Sequence, residues 1–187
     1  MEEIFPRIRE WFLNKEPYFT TFAQADSRLE GWFKGEMLAL LERLQTESLI
    51  HSCTREFNIH TPSGPKKRRQ IDFRIGIGSR FDLCELKALC ISQAAGTPRD
   101  LHFYLQDDDV GLVKDFKKLP ELPTSDHLWL LAFVYPAPSS SQWKAALRML
   151  ETIVGGWACL TSPEQFPAFL YLSLWKHHRI LLNDSRT

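Results

Sequence analysis

Several things are missing from these 187 residues, and each absence removes a class of function. The four cysteines (Cys53, Cys84, Cys90 and Cys159) form no C-x-x-C pair. The six histidines show no H-x-x-x-H spacing and have no cysteine partner at zinc spacing. A disulfide framework and a zinc site are therefore disfavoured, and the expectation is reduced, buried thiols in a cytoplasmic protein. The longest apolar run, Leu128 to Val134, is far too short to span a bilayer, so no membrane partner is expected. The start, Met1-Glu2-Glu3, lacks the basic and apolar regions of a secretory signal. Net charge is also lacking, with 23 Lys+Arg against 23 Asp+Glu. That balance argues neither for nor against nucleic acid, whose footprint is a local patch rather than a total.

What is present is an ordinary globular balance, 44% hydrophobic and 25% charged, with enough chain for one domain and a full core. Ile4, Ile8 and Trp11 fall at helical spacing, so residues 2–13 are expected to form a short helix that ends before Pro17. Ser27 and Glu30 fit a capping box, and the helix that follows carries Leu29, Phe33, Met37, Leu40, Leu41 and Leu44 on one face. Gly31 and Gly35 weaken it locally, close packing being one reason for them. From Ile50 the period changes, and residues 50–60, 69–77 and 81–90 read as three strands. A connection from Ser92 to Pro98 leads to a helix capped near Asp107–Asp109 and running to Leu119. The run 128–134 reads as a strand covered on both faces, 143–154 as a helix stopped at Gly155-Gly156, and 168–175 as a last strand. A hairpin start followed by strand–helix–strand crossovers implies an α/β domain with a mixed central sheet flanked by helices.

The chemistry concentrates in two of the strands. Asp72 interrupts the apolar strand of Ile71, Phe73, Ile75 and Ile77, and Glu85-Leu86-Lys87 lies inside the apolar run from Phe81 to Ile91. Successive strand side chains alternate, so Glu85 and Lys87 share a face roughly 6.6 Å apart, and a hairpin lets Asp72 join them. Charges placed among Phe81, Leu83 and Leu89 are partly desolvated unless paired or metal-bound. Two carboxylates and an ammonium there suit a hard divalent cation and a water held against a phosphate. A further carboxylate, Glu36, lies beside the apolar stripe of the preceding helix, whereas Glu42 points away and Glu30 is taken up by the cap. An acid followed two residues later by lysine also occurs on plain solvated strand faces, and that reading stays open.

The order helix-Glu36, strand-Asp72, strand-Glu85-Leu86-Lys87 resembles the PD-(D/E)XK, or restriction-endonuclease-like, nuclease superfamily, with its αβββαβ core matched over residues 28–135. Residues 1–25 then form an N-terminal helix and arm, and 136–187 a C-terminal helix and strand. Ile71 stands where the family motif has proline. The stretch from Glu85 through Val113 to Leu119, with its lysine- and aspartate-rich helix, is similar to small bacterial members. The resemblance implies phosphodiester hydrolysis. Asp72, Glu85 and the Leu86 carbonyl would hold Mg²⁺ or Mn²⁺, with Glu36 contributing directly or through water. Lys87 would orient the attacking water or stabilise the transition state.

Candidate DNA contacts are the run Lys66, Lys67, Arg68 and Arg69 leading into the strand of Asp72, together with Arg74 and Gln93. The same basic run is equally compatible with a solvated hairpin tip. The expectation is a magnesium-dependent nuclease acting on DNA, as a homodimer or with a separately encoded partner. Two alternatives remain: a catalytically silent nuclease-fold module that binds nucleic acid or protein, and a structural domain whose acids pair with Arg74 and Lys87.

Overall fold

The computed structural model describes residues 1–25, 27, 29–60, 68–92, 100–106, 111–150 and 155–178, without the side chains of His60 and Arg68. Strands β1 (Ser52–His60), β2 (Arg68–Ile77) and β3 (Arg80–Cys90) form an antiparallel meander. The chain then passes through the short helices α4 (Leu101–Tyr104) and α5 (Val113–Lys118) and re-enters the sheet as β4 (His127–Tyr135), parallel to β3. After α6 (Ser140–Leu150), β5 (Trp157–Cys159) and β6 (Tyr171–His177) complete one six-stranded mixed sheet of order β1-β2-β3-β4-β6-β5. Helices α1 (Phe5–Leu13), α2 (Glu16–Gln24) and α3 (Glu30–Thr46) cover one face, and α4 to α6 cover the other. Among the described residues no helix is long and apolar enough to cross a membrane.

Alternation along each strand divides the interior into two cores. Phe73, Ile75 and Ile77 of β2 and Cys84, Leu86 and Ala88 of β3 pack towards α1–α3. Leu83 and Leu89 pack towards α4–α6, so Glu85 and Lys87, at the same parity, turn to that side as well. Every residue of β4 after His127 is buried, as expected of a strand with helices on both faces. On the first face an aromatic cluster fixes α3: the Phe33 ring lies 4.4 Å from Phe133 and 5.5 Å from Tyr135, centroid to centroid. None of the four cysteines is in a disulfide; Cys84 and Cys90 are buried and the other two half-buried.

Several sequence expectations need correction. The first helix ends at Leu13, before Pro17, as expected, but a second helix stands where an arm was expected, and Pro17 sits in its first turn, where its missing N–H has no partner to lose. The Ser27 capping box does not form. Leu29 is the N-cap of α3, without a side-chain hydrogen bond, and Ser27 Oγ donates to the Ala25 carbonyl instead. The helix expected up to Leu119 is present as α5, which ends at Lys118, whereas α4 precedes the expected caps and was not foreseen. Asp100 caps α4 by accepting from the Phe103 N–H at 3.1 Å. Gly111 lies so close to the α4 end that a Cβ would meet the Tyr104 carbonyl oxygen at 2.7 Å. The expected caps at Asp107–Asp109 and the end of α6 at 151–154 lie outside the described residues. Gly31 and Gly35 face open space, so close packing does not account for them. The last strand begins at Tyr171 rather than at residue 168, and β5 has too few residues to leave a pattern.

Phe33→Ala is expected to cost roughly 3–5 kcal/mol in urea unfolding, because the fully buried ring touches both α1 and β4. A loss below about 1 kcal/mol would show that the aromatic cluster does not anchor α3.

Candidate active site

The site is built where the sheet opens. Strands β2 and β3 pair from Ile77↔Arg80 to Phe73↔Cys84 and no further, although the same register would set Asp72 opposite Glu85. Side chains take over from the ladder at that point. Asp72 Oδ2 accepts from the Leu86 N–H at 2.8 Å, and Glu85 Oε2 accepts from the Asp72 N–H at 3.4 Å. On the other edge of β2, the β1 ladder skips the pair between Glu56 and Asp72, and Glu56 has φ 53°. Beyond this break Ile71 packs with the α4–α6 core, whereas Phe73 packs with the opposite one. The strand therefore turns over at Asp72 and leaves a cleft of about 310 Å³ beside β3. Ile71, Leu119 and Leu122 line it together with Glu85 and Asp115, and Arg69 and Lys118 add cationic groups.

Two helices complete the cluster. Glu30 and Lys34 stand one turn apart on α3, and Lys34 Nζ bridges Glu30 Oε1 at 2.8 Å and Asp72 Oδ1 at 2.7 Å. From α5, Asp115 reaches Lys87 Nζ at 3.2 Å, while Glu30 lies 3.9 Å from the same ammonium. Asp115 is only 5% exposed, so its negative charge is compensated inside the protein, chiefly by Lys87. Lys118 approaches Asp115 at 3.9 Å from the solvent side.

The inner cluster thus sets four carboxylates (Glu30, Asp72, Glu85, Asp115) against two ammoniums (Lys34, Lys87). Fully ionised, it carries an excess of two negative charges. Burial, followed by the charges of Asp72 and Asp115, pushes the Glu85 carboxyl up to about 8. Burial also raises Asp72, against the opposing pull of Lys34 and the Leu86 amide. Burial works against the charged form of both lysines as well. The acids outweigh it: Asp72 and Glu30 raise Lys34, and Asp115 and Glu30 raise Lys87. Both lysines are therefore charged at neutral pH, and the carboxylate pair tends to hold a proton.

The oxygen-only donor set of Asp72 and Glu85 fits a hard cation such as Mg²⁺ or Mn²⁺, and an excess of buried negative charge gives that cation something to neutralise. Among the described residues no three His, Cys, Asp or Glu side chains form a ready-made metal-holding group. The fit is one of donor chemistry and charge, with Lys34 on the Asp72 oxygen that the Leu86 amide leaves open.

The structure brings Asp72, Glu85, Leu86 and Lys87 together, as expected from the sequence. Glu36 is not brought to them. Its Oε2 pairs with Lys15 at 2.9 Å and accepts from Trp11 Nε1 at 3.0 Å, so it ties α3 to the N-terminal helices. Glu36 is two residues past Lys34, about 200° round a helix from the face that meets Asp72. Glu30 is the helical glutamate at the cluster, and it was overlooked because the capping box had assigned it another task. Two of the basic candidates are paired with acids. Arg69 donates to the Lys118 carbonyl at 3.0 Å and pairs with Glu121 at 2.8 Å, which closes β2 over the cleft. Arg74 pairs with Asp126 at 2.8 Å, and its guanidinium lies 3.5 Å above the Phe81 ring. Lys66, Lys67 and Gln93, with the side chain of Arg68, lie outside the described residues. Sequence reasoning missed Lys34 and Asp115. The Glu30–Lys34 spacing was a legible signal for the first, whereas a buried acid between Val113 and Phe116 breaks no period.

No protein-family model matches the chain, nor does any curated protein or solved structure. The site is read from its own chemistry.

A pH dependence follows from Glu85. Its ordinary value is 4.5 and its folded value about 8, so between these the folded protein keeps a proton that the unfolded chain has released. Stability of the metal-free protein should therefore fall as pH rises through that window, and Glu85→Gln should flatten the fall. Thermal melts in chelator from about pH 5 to about pH 9 test this. Identical pH slopes in the two proteins would rule out a buried, raised Glu85.

Proposed function

We propose that this protein is a divalent-metal-dependent nuclease of the restriction-endonuclease-like type, acting on DNA from a reducing, cytoplasmic compartment. One observation carries the reading: β2 and β3 part at Asp72 and Glu85, so that two carboxylates, a lysine held by a buried aspartate and an open cleft meet at one place. The order α3-β1-β2-β3-α4/α5-β4, with β4 parallel to β3, supports the same reading.

In this mechanism Asp72 and Glu85 would hold Mg²⁺ or Mn²⁺, aided by the Leu86 carbonyl and by Glu30. Such a cation neutralises charge on the phosphate and acidifies a water. The water oxygen adds to phosphorus and an ester P–O bond breaks, leaving a phosphomonoester; one water proton ends on the departing oxygen as a hydroxyl and the other passes to solvent. Lys87, kept charged and oriented by Asp115, stabilises the negative charge that builds on the phosphoryl oxygens. It does not serve as the base, because Asp115 and Glu30 favour its ammonium form. The apolar walls of Ile71, Leu119 and Leu122 limit water in the cleft and strengthen these electrostatic interactions.

A second reading, a catalytically silent module with the same architecture, is favoured by the position of Lys34 on Asp72 and by the absence, among the described residues, of a ready three-ligand group. The two part on one assay, cleavage of supercoiled, linear and single-stranded DNA with Mg²⁺ or Mn²⁺. The nuclease reading expects metal-dependent cutting that Lys87→Ala lowers by about 10²–10³-fold. No cutting of any substrate by the wild-type protein would leave the silent module. Glu30→Ala should slow cutting by at least about tenfold, as for a group that supports metal ligands. Glu36→Ala should leave the rate unchanged and lower only stability. The reverse ranking would restore Glu36 to the site.

A further inference from the structure

Lys34 has a role that neither the motif nor the proposed hydrolysis requires. Its ammonium sits between Glu30 Oε1 at 2.8 Å and Asp72 Oδ1 at 2.7 Å, in a half-buried position where the two acids hold it protonated. The other Asp72 oxygen is already committed to the Leu86 amide. The single Asp72 oxygen facing the cluster is therefore the one a metal would need, and Lys34 is on it. Lys87 differs: its closest acid is Asp115, on another element, and Glu30 stands further off at 3.9 Å.

From this juxtaposition we propose that Lys34 is an internal counter-cation, filling the place of the divalent ion and displaced when that ion binds. The inference rests on the metal-dependent reading of the same site. An ammonium and a divalent cation cannot share one carboxylate oxygen at contact distance without strong repulsion. Metal loading therefore requires Lys34 to leave Asp72. Its side chain is long, flexible and partly exposed, and its backbone lies within α3, so it can swing without moving the helix. Lys34 keeps the empty site neutral enough to remain folded and weakens its grip on metal. Once released, it is a second cation beside the cleft and, unlike Lys87, a mobile one, free to meet the phosphate. Lys34 thus acts as a positioning residue on Asp72 in the metal-free protein.

The test is calorimetric titration of Mn²⁺ into the full chain at a pH above the Glu85 value, comparing wild type, Lys34→Gln, Lys34→Arg and Asp72→Ala. Removing the competing charge in Lys34→Gln should tighten Mn²⁺ binding by about tenfold or more. Lys34→Arg should bind no more tightly than wild type, and Asp72→Ala should lose binding. Equal or weaker binding by Lys34→Gln, with Asp72→Ala still defective, would overturn the counter-cation role and leave the metal site standing. No binding by wild type or by Lys34→Gln would overturn both. A readout on the wild-type protein covers the case in which Lys34→Gln does not fold. Reductive methylation of Lys34, followed by mass spectrometry, should speed up when Mn²⁺ is added, because the ammonium leaves its two acids. Unchanged protection would also overturn the proposal.

Discussion

The site depends on a few hydrogen bonds that the sheet fails to make with itself. A buried backbone N–H or C=O must find a partner, and β2 and β3 stop supplying one another beyond Phe73 and Cys84. The carboxylates of Asp72 and Glu85 fill the vacancy by accepting from the amides of Leu86 and Asp72. These two acids are thus structural before they are chemical: they end a ladder, and by ending it they open a cleft. The same bonds fix their directions. Each carboxylate spends one oxygen on backbone and keeps the other for something else, an arrangement that suits a ligand group more than a surface charge.

Tolerance of this charge follows from how the surroundings are packed. Strand β3 is held between β2 and the fully buried β4, with apolar side chains on both faces, so Glu85 and Lys87 project from a rigid support. The aromatic cluster around Phe33 locks α3 against β4, and Lys34 is the next residue along the same helix. Glu30 and Lys34 are consequently delivered at a fixed height over Asp72. Asp115 arrives on the shortest of supports, a helix of six residues, but Val113 and Phe116 on either side of it are buried. Its burial beside Lys87 makes the pair mutually dependent, since either charge left alone there would be uncompensated.

The sequence made the α/β architecture legible because hydrophobic period is set by burial, and burial here is strong. The apolar run of β4, the alternation of β2 and the stripe of α3 from Phe33 to Leu44 lie where the pattern put them, whereas Leu29, placed on that stripe, is the exposed N-cap. It failed where a residue has two physical roles. Pro17 follows the end of one helix and opens the next in its first turn, and only the first of these was legible. Glu30 matches a cap on paper, but two lysines compete for its carboxylate and win. At the site, Asp72, Glu85 and Lys87 were legible because a charge inside an apolar strand is conspicuous. Glu36 was misplaced for want of a helical phase, since counting from Lys34 puts it on the far side. Arg69 and Arg74 were candidates for phosphate, but which acids they meet was not legible, because Glu121 and Asp126 lie about 50 residues further along the chain and only the fold brings them near.

The neutral total charge also takes on a different meaning in this light. Zero net charge conceals a local division. The inner cluster is acid-rich, and the described arginines beside it are already paired with Glu121 and Asp126. A phosphate approaching this face of the metal-free protein therefore meets an excess of carboxylates, with both lysines held by acids. For the proposed function, attraction to a polyanion would have to be switched on by a cation that neutralises Asp72 and Glu85. In the proposed reading that ion does more than assist the chemistry: it reverses the sign of the field in the cleft. Metal and nucleic acid would then bind with positive coupling, each raising the affinity of the other by the same factor. The two lysines divide the work by their supports. Lys87 is tied chiefly to buried Asp115 and stays in place, whereas Lys34 is shared between buried Asp72 and the more exposed Glu30 and can fall back on the latter.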